Sequence, residues 1–285
     1  MSRIAYVNGR YLRLGNAAVA IEDRGYQFAD GVYEVCEVRA GRLIDERRHL
    51  ARLKRSLDEM RIRMPMSFAA LGVVLREVVA RNRVTYGTVY LQVTRGVARR
   101  DHAFPRPGVA PSLVVSARAL NASRNEALAE KGIAVVSVPD NRWARVDIKT
   151  IALIPNVLAR QAAIEQGARE AWFVDKDGAV TEGASANAWI VTAAGVVVTR
   201  PADRGILRGV TRTVLFEAIK AQGLAIEERA FTLAEAYAAR EAFVTSASQI
   251  VMPVVSIDGR AIGDGKPGAV ATALRRAYHG FAEAG

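Results

Sequence analysis

Short strand patterns joined by tight turns constrain the fold of this chain more than any other feature. Two hairpins are predicted, one over residues 4–14 with the turn Asn8-Gly9 and one over residues 33–43 with the turn Ala40-Gly41. Such dipeptides between apolar segments are typical of two-residue hairpin turns. Because hairpins outnumber strand–helix–strand crossovers, the sequence predicts an α+β organisation rather than a doubly wound sheet.

Helices are predicted where apolar residues recur at helical spacing. One predicted helix carries Leu50, Leu53, Leu57 and Met60 on a single face. The other predicted helices cover residues 68–81, the later part of 147–166, 211–222 and 268–281. Further strands are predicted over residues 88–94, 112–117, 134–138, 171–174, 188–191, 196–199 and 242–245.

The polar stretch 119–125 predicts a connector between two α+β domains. A smaller N-terminal domain is then expected over residues 1–118 and a larger C-terminal domain, which carries Lys149, over residues 126–285. A chain of 285 residues is long enough for two such cores.

Composition limits the function classes. Hydrophobic residues make up 51% of the chain, but charged residues interrupt the apolar runs well before the ~18 residues of a membrane span. The single cysteine, Cys36, excludes an internal disulfide, and without a signal-peptide pattern a cytoplasmic protein is expected. The net charge of +11 comes from scattered basic residues interleaved with acidic ones. We therefore expect attraction to acidic metabolites, and neither nucleic acid nor membrane nor a metal as a partner.

Lys149 is the lysine whose surroundings differ from the rest. It lies among Ile148, Ile151 and Leu153, whereas the others lie in charged, turn or helix-end contexts: Lys54, Lys131, Lys176, Lys220 and Lys266. Burial favours the neutral amine, which can attack a carbonyl and form a Schiff base. The alternative is a lysine whose stem is buried and whose amine reaches water.

Three further segments could carry chemistry, each with a simpler structural alternative. Glu182, within the small-residue stretch 181–187, is a carboxylate suited to a protonated pyridine nitrogen, or it belongs to a surface turn. Residues 205–212 place glycine and threonine before a helix, which suits either a phosphate or a plain helix cap. Residues 94–105 carry three arginines and a histidine, and form either a carboxylate-binding loop or an exposed basic loop.

The order of these segments resembles that of the branched-chain and D-amino-acid aminotransferase family, the fold-type IV enzymes that use pyridoxal 5'-phosphate. The likeness is greatest to its D-amino-acid (D-alanine type) transaminases. It covers almost the whole chain. The segments that carry it are 23–35 (Asp-Arg-Gly-Tyr-Gln-Phe-Ala-Asp-Gly-Val-Tyr-Glu-Val), 49–53, 94–105, 147–149, 181–183 and 209–212.

The resemblance implies how the cofactor is held. Lys149 is expected to form the Schiff base and to move the proton between the substrate α-carbon and the C4′ atom, and Glu182 to pair with the pyridine nitrogen. The other expected cofactor contacts are Arg52 and the backbone amides of Val210 and Thr211 at the phosphate, Ser248 beside them, and Leu207 on the ring face.

The resemblance also implies the substrate and the assembly. Tyr33, Arg100 and His102 are expected to bind the substrate carboxylate, the last two from the partner subunit of a homodimer. The active site is expected at the domain interface, and the reaction to be a ping-pong transfer from a D-amino acid to 2-oxoglutarate. Ala184, Ala186 and Ala247 stand where the family often has hydroxyl side chains, so the expected phosphate contacts are fewer.

Three alternatives remain open at this point. The first is a branched-chain or R-selective amine transaminase of the same fold, against which Arg100 and His102 argue. The second is a lyase similar to the aminodeoxychorismate lyases, which would need no amino acceptor. The third is a basic binding protein without catalysis, against which Lys149 and Glu182 argue.

Overall fold

The computed structural model describes residues 3–285, which contain two separate β-sheets. The first unit comprises the described residues up to Ala122, together with Ile148–Ala152 and Glu283–Gly285, and the second comprises Ser123–Asp147 and Leu153–Ala282. The helices are α1 (Arg24–Phe28), α2 (Glu46–Glu59), α3 (Phe68–Arg81), α4 (Ala122–Lys131), α5 (Ile154–Glu165), α6 (Val210–Ala221), α7 (Leu233–Tyr237) and α8 (Ala269–Ala277), with 3-10 turns at Leu14–Asn16 and Tyr278–Gly280.

The sheet of the first unit has six strands, and all the pairings described in it are antiparallel. Its strands are β1 (Ile4–Val7), β2 (Arg10–Arg13), β3 (Gly31–Arg39), β4 (Arg42–Leu43), β5 (Tyr86–Thr94) and β6 (Ser112–Ala119). Their order is β2-β1-β6-β5-β3-β4, and β3 pairs with β5 over its full length. Residues of β3 therefore have fixed positions on which a site can be built.

The sheet of the second unit is mixed. Its strands are β7 (Ile133–Pro139), β8 (Glu170–Val174), β9 (Ala179–Gly183), β10 (Asn187–Val191), β11 (Val197–Thr199), β12 (Ile226–Glu228), β13 (Phe231–Thr232), β14 (Glu241–Ser246), β15 (Ile250–Ile257) and β16 (Arg260–Ala261). The order is β12-β11-β10-β14-β15-β7-β8-β9-β13, and β16 pairs with β15. The β11–β12, β15–β7 and β7–β8 pairs are parallel and the other described pairs are antiparallel.

Helices cover one face of the first sheet and both faces of the second. In the first unit, α2 packs Leu53 and Leu57 into a core that also contains Leu91 of β5. Each such side chain, when fully buried, contributes roughly 1.5–3 kcal/mol to the free energy of unfolding. In the second unit the Trp189 ring stacks on Phe243 with centroids 5.5 Å apart. Within residues 3–285, no helix is both long and apolar enough to cross a membrane.

The two predicted hairpins and the predicted helices over 68–81 and 211–222 are present to within a residue or two at each end. The helix predicted over 268–281 is shorter, because α8 ends at Ala277 and continues as a 3-10 turn. Strand β8 pairs with β9, which the sequence did not predict. The strand predicted next along the chain, 188–191, is β10 and pairs with β11 and β14.

Residues 122–125, predicted as part of a polar connector, instead form the first turn of α4. The helix is stabilised further along by Ala129, which packs into the core of the second unit. The division between the units falls between Ala122 and Ser123. The segment Ile148–Ala152, which was expected in the C-terminal domain, belongs by its contacts to the first unit.

Candidate active site

Lys149 lies alongside strand β3. Its carbonyl accepts a hydrogen bond from Tyr33 N at 3.0 Å, and the next residue, Thr150, forms a β-bridge with Val32. The Nζ atom lies 4.3 Å from the centroid of the Tyr33 ring. Lys149 is half-buried, whereas the chain's other lysines are exposed. The main chain therefore holds the amine of Lys149 against an aromatic ring.

Arg52 is held by two hydrogen bonds from its guanidinium to Glu34. Its Nε and one Nη each lie 2.8 Å from a carboxylate oxygen, and His49 Nδ1 lies 2.7 Å from the same carboxylate. Burial alone would raise the pKa of Glu34, but the charge of Arg52 and the hydrogen bonds from Arg52 and His49 lower it to about 2. Glu34 is therefore a buried carboxylate that stays ionised and fixes the guanidinium of Arg52.

Glu182, in strand β9, is buried and surrounded by hydrogen-bond donors. Arg142 Nη1 lies 2.5 Å from its Oε1, Asn187 Nδ2 lies 3.0 Å from its Oε2, and Leu207 N lies 3.2 Å from both oxygens. A carboxylate among such donors is stabilised in its ionised form. Glu182 is therefore a buried anion with a fixed position in the second unit.

Arg142 is in turn held by a second carboxylate. Its Nε and Nη2 bind Asp140 at 2.9 and 2.8 Å, and Thr181 Oγ1 donates to Asp140 at 2.7 Å. Burial alone would lower the pKa of Arg142, but the hydrogen bonds and charges of Asp140 and Glu182 raise it. These contacts fix the position of the cation that faces Glu182.

The first turn of α6 presents free main-chain donors. Gly209 is the N-cap and no side chain of residues 3–285 caps this end. Val210 and Thr211, the first helical residues, are both buried. Helix N-termini bind anions through their unpaired N–H groups and the positive end of the helix dipole. The turn suits a phosphate.

Leu207 and Ser248 have different surroundings. Leu207 lies just before this turn, where its carbonyl accepts from Asn187 Nδ2 at 2.9 Å. Ser248 is exposed beyond the end of β14, and its carbonyl accepts from Asn125 Nδ2 at 3.4 Å. Leu207 is therefore tied to the Glu182 cluster, and the role predicted for Ser248 remains a prediction.

Arg100 and His102 lie in an exposed loop of the first unit. The Arg100 guanidinium carbon is 5.0 Å from the centroid of the Phe28 ring, and the ring centroids of Phe28 and His102 are 5.4 Å apart. Tyr33, the third residue predicted to bind a carboxylate, contacts Lys149 and stacks obliquely on Tyr90 instead. Within one chain, Tyr33 thus contacts the Tyr90 ring, whereas Arg100 and His102 contact the Phe28 ring.

Several residues of these clusters were not predicted from the sequence. Glu34 and His49 lie inside the motifs that carry the resemblance. His49 precedes Arg52 by one helical turn, so the sequence could have indicated that these two side chains lie on the same face of a helix. Arg142 and Asn187 gave no local signal. Arg142 is 40 positions from Glu182, and only the fold brings the two together.

The match to known families decides the class of this protein. Residues 31–257 match the family described as Amino-transferase class IV. The chain belongs to the class IV aminotransferases.

Relatives of this class IV aminotransferase extend over nearly its full length. It is 36% identical over 278 residues to the D-alanine aminotransferase of Staphylococcus haemolyticus, covering 98% of this chain and 97% of the relative. It is 41% identical over 261 residues to the D-alanine aminotransferase of Bacillus licheniformis, covering 92% and 90%.

Solved structures share the fold of this class IV aminotransferase. The Escherichia coli branched-chain amino acid aminotransferase superimposes with a TM-score of 0.90 at 22% identity, covering 98% of this chain and 94% of that one. A hypothetical aminotransferase from Mycobacterium tuberculosis, in its PLP-bound form, gives 0.85 at 23% identity, covering 97% of both chains. The two-sheet α+β fold is therefore that of the fold-type IV aminotransferases.

Proposed function

We propose that this class IV aminotransferase transfers the amino group of D-amino acids, D-alanine among them, to 2-oxoglutarate. The observation that carries the proposal is the position of Lys149, whose amine lies 4.3 Å from the ring centroid of Tyr33. The amine of Lys149 thus lies beside a residue assigned to the substrate carboxylate. Full-length identity of 36–41% to D-alanine aminotransferases supports the choice of substrate.

The residues present fit pyridoxal 5'-phosphate. The cofactor needs an amine for covalent attachment, an anion acceptor for its ring nitrogen and donors for its phosphate. Lys149, the ionised Glu182 and the uncapped first turn of α6 provide these three groups. The N-cap also needs glycine, because a Cβ at Gly209 would collide with the Asn187 amide oxygen.

Each group of the chain then has a defined task. When bound, the cofactor withdraws the electrons released as the substrate Cα–H bond breaks. Lys149 Nζ would hold the cofactor and would take the α-proton of the substrate. Glu182 keeps a proton on the ring nitrogen, and Arg142 keeps Glu182 ionised.

The phosphate is assigned to Arg52 and to the N–H groups of Val210 and Thr211. Glu34 binds Nε and one Nη of the Arg52 guanidinium and so fixes the position of a cation suited to an anion. Leu207 is assigned to the ring face, and its N–H to Glu182 fixes its main chain. Ser248 is assigned a secondary phosphate contact.

The substrate carboxylate is assigned to Tyr33 together with Arg100 and His102 of the partner subunit in a homodimer. In one chain the latter two side chains are exposed, as a contribution to another subunit's site requires. Anchoring the carboxylate on one side while Lys149 stays in place decides which hydrogen faces Nζ. Handedness therefore follows from the carboxylate site.

Incubation of the purified, cofactor-loaded protein with 2-oxoglutarate and either D-alanine or L-alanine tests this proposal. We expect pyruvate with D-alanine, dependent on 2-oxoglutarate, and little with L-alanine. Without 2-oxoglutarate we expect no more than one pyruvate per bound cofactor, because the amino group then has no acceptor. A preference for L-alanine would contradict the assignment of handedness.

A further inference from the structure

Arg24, in the short helix α1, is a buried arginine that no step of the proposed reaction uses. It is 3% exposed, and its Nε lies 2.8 Å from Asp30 Oδ2. A buried guanidinium requires acceptors for its other N–H groups. Those acceptors are carbonyl groups of the loop that carries Arg100 and His102.

The guanidinium binds three consecutive carbonyls of this loop. Nη1 lies 2.5 Å from Asp101 O and 3.2 Å from Ala103 O, and Nη2 lies 3.4 Å from His102 O. The contacts span 77 to 79 positions of sequence. A planar fork of five N–H donors can collect several carbonyls in this way, and a lysine amine cannot reproduce its geometry.

The base of the loop is fixed by main-chain contacts, among them Arg24 N to Gly96 O at 3.0 Å, that do not involve the Arg24 side chain. Gly96 has φ +105, and a Cβ there would collide with Ala110 O. The main chain at the start of the loop therefore packs directly against the main chain at its end. Between these points the hydrogen bonds of Arg24 constrain the course of residues 101–103. Without them the loop would keep its ends and lose the position of its tip.

Phe28 links the same arginine to the side chains that point outward. The Arg24 guanidinium carbon lies 4.9 Å from the Phe28 ring centroid, and Arg100 and His102 contact the same ring. Arg24 thus holds the main chain of the loop and supports the ring on which its two functional side chains rest.

We propose that Arg24 is a positioning residue for the substrate carboxylate, acting through Arg100 and His102. This inference rests on the proposed function, in which these two residues bind the carboxylate. Their side chains are exposed, and holding the main chain beneath them lowers the cost of ordering them around a carboxylate.

Arg95 provides a matched control. It is 7% exposed and bonds to the same Asp30, with Nε at 2.7 Å and Nη2 at 3.0 Å. Its remaining hydrogen bonds go to Met60 O and Arg61 O rather than to carbonyls of residues 101–103. Lysine at position 24 or 95 keeps a positive charge beside Asp30, but only the first change removes the hydrogen bonds to the carbonyls of residues 101–103. Arg95 contacts the loop through the Phe104 ring, 3.7 Å from its guanidinium carbon, and not through these carbonyls.

The experiment compares R24K, R95K, F28L and R100A as cofactor-loaded enzymes. The readouts are KM and kcat for D-alanine per cofactor-bearing site, and the inhibition constant of propionate, a carboxylate without an amine. For R24K we expect KM and the inhibition constant to rise about tenfold or more together, with kcat little changed. F28L should shift the same two constants, and R95K should leave them near wild type.

A purely structural role for Arg24 would lower the fraction of active enzyme without moving KM or propionate inhibition, and that result would overturn the inference. If R24K does not fold, unchanged constants in F28L would overturn it and raised constants would support it. Raised constants in R100A, with R24K and F28L unchanged, would refute only the role of Arg24. Unchanged constants in R100A would refute the carboxylate assignment of the proposed function itself.

Discussion

Arg142 and Glu182 form a close ion pair in the second unit, with Nη1 and Oε1 2.5 Å apart and side chains only 5% and 7% exposed. The pair is not isolated, since Asp140 binds the same guanidinium. Two carboxylates therefore share one buried cation. In this arrangement Glu182 stays ionised, which is the state that a cationic ring nitrogen needs from its partner.

Replacing Arg142 by methionine should strongly destabilise the protein, because Asp140 and Glu182 would lose their shared cation. Breaking a buried pair costs about 3–5 kcal/mol of the free energy of unfolding. Denaturant unfolding of R142M and R200M gives the comparison. Arg200 pairs with Asp175 at a more exposed position, 19% and 23%, where about 1 kcal/mol or less is expected. Equal losses in the two variants would contradict the role given to Arg142.

Replacing Glu182 by glutamine should lower kcat by about 10²-fold, the scale on which removal of one electrostatic stabiliser acts. Glutamine has nearly the same shape but lacks the charge that keeps a proton on the ring nitrogen. Steady-state kinetics of E182Q with D-alanine measures the loss.

Glu170 is the control for E182Q. It is another buried carboxylate of the same sheet, and it accepts from Ser185 Oγ at 2.7 Å and from Ala171 N at 2.9 Å. Burial raises its pKa, so the uncharged glutamine replaces it with less electrostatic change. A kcat as low in E170Q as in E182Q would indicate a general loss of packing rather than loss of the ring partner.

The pKa of Glu34, lowered from 4.5 to about 2, predicts the acid sensitivity of the first unit. Since the folded pKa is below the unfolded one, the stabilisation is complete above about pH 5 and is lost as pH falls toward 2. Its size is roughly 3 kcal/mol. The pKa of His49, lowered by burial against the opposing effect of Glu34, adds a loss of stability as pH falls below 6.5.

Denaturant unfolding of wild type and E34Q between pH 7 and pH 3 tests this dependence. We expect E34Q to be less stable at pH 7 and the difference from wild type to shrink as pH falls. E77Q, at an exposed ion pair with Arg81, should run parallel to wild type. A difference between wild type and E34Q that stays constant with pH would show that Glu34 is not an ionised partner of Arg52.

Local pattern predicted much of the fold. The helix over 68–81 is found at those bounds, because Ser67 caps it and its apolar residues share a face. Strand β9 was missed, since Thr181 and Glu182 are polar and its short segment lacks an apolar alternation. These polar side chains are buried only because distant donors satisfy them, and no local pattern contains that information.

The residues of the candidate site also differ in whether the sequence alone could predict them. Lys149 was singled out by the apolar residues next to it, and the roles of Glu182 and Arg52 came from the resemblance of whole motifs. Arg24 stands within one of these motifs, but its acceptors at Asp101, His102 and Ala103 are a product of the tertiary structure. Every residue type has a main-chain carbonyl, so the identities of the residues that accept from Arg24 do not reveal the contact.

The covalent attachment at Lys149 is the claim on which the proposed function most depends. Sodium borohydride reduction of the cofactor-loaded protein, followed by peptide mass spectrometry, tests it directly, with K149A as the control. We predict a stable pyridoxyl group on the peptide that contains Lys149, and no label in K149A. A label on one of the exposed lysines in place of Lys149, or none in the wild-type protein, would contradict the proposed function.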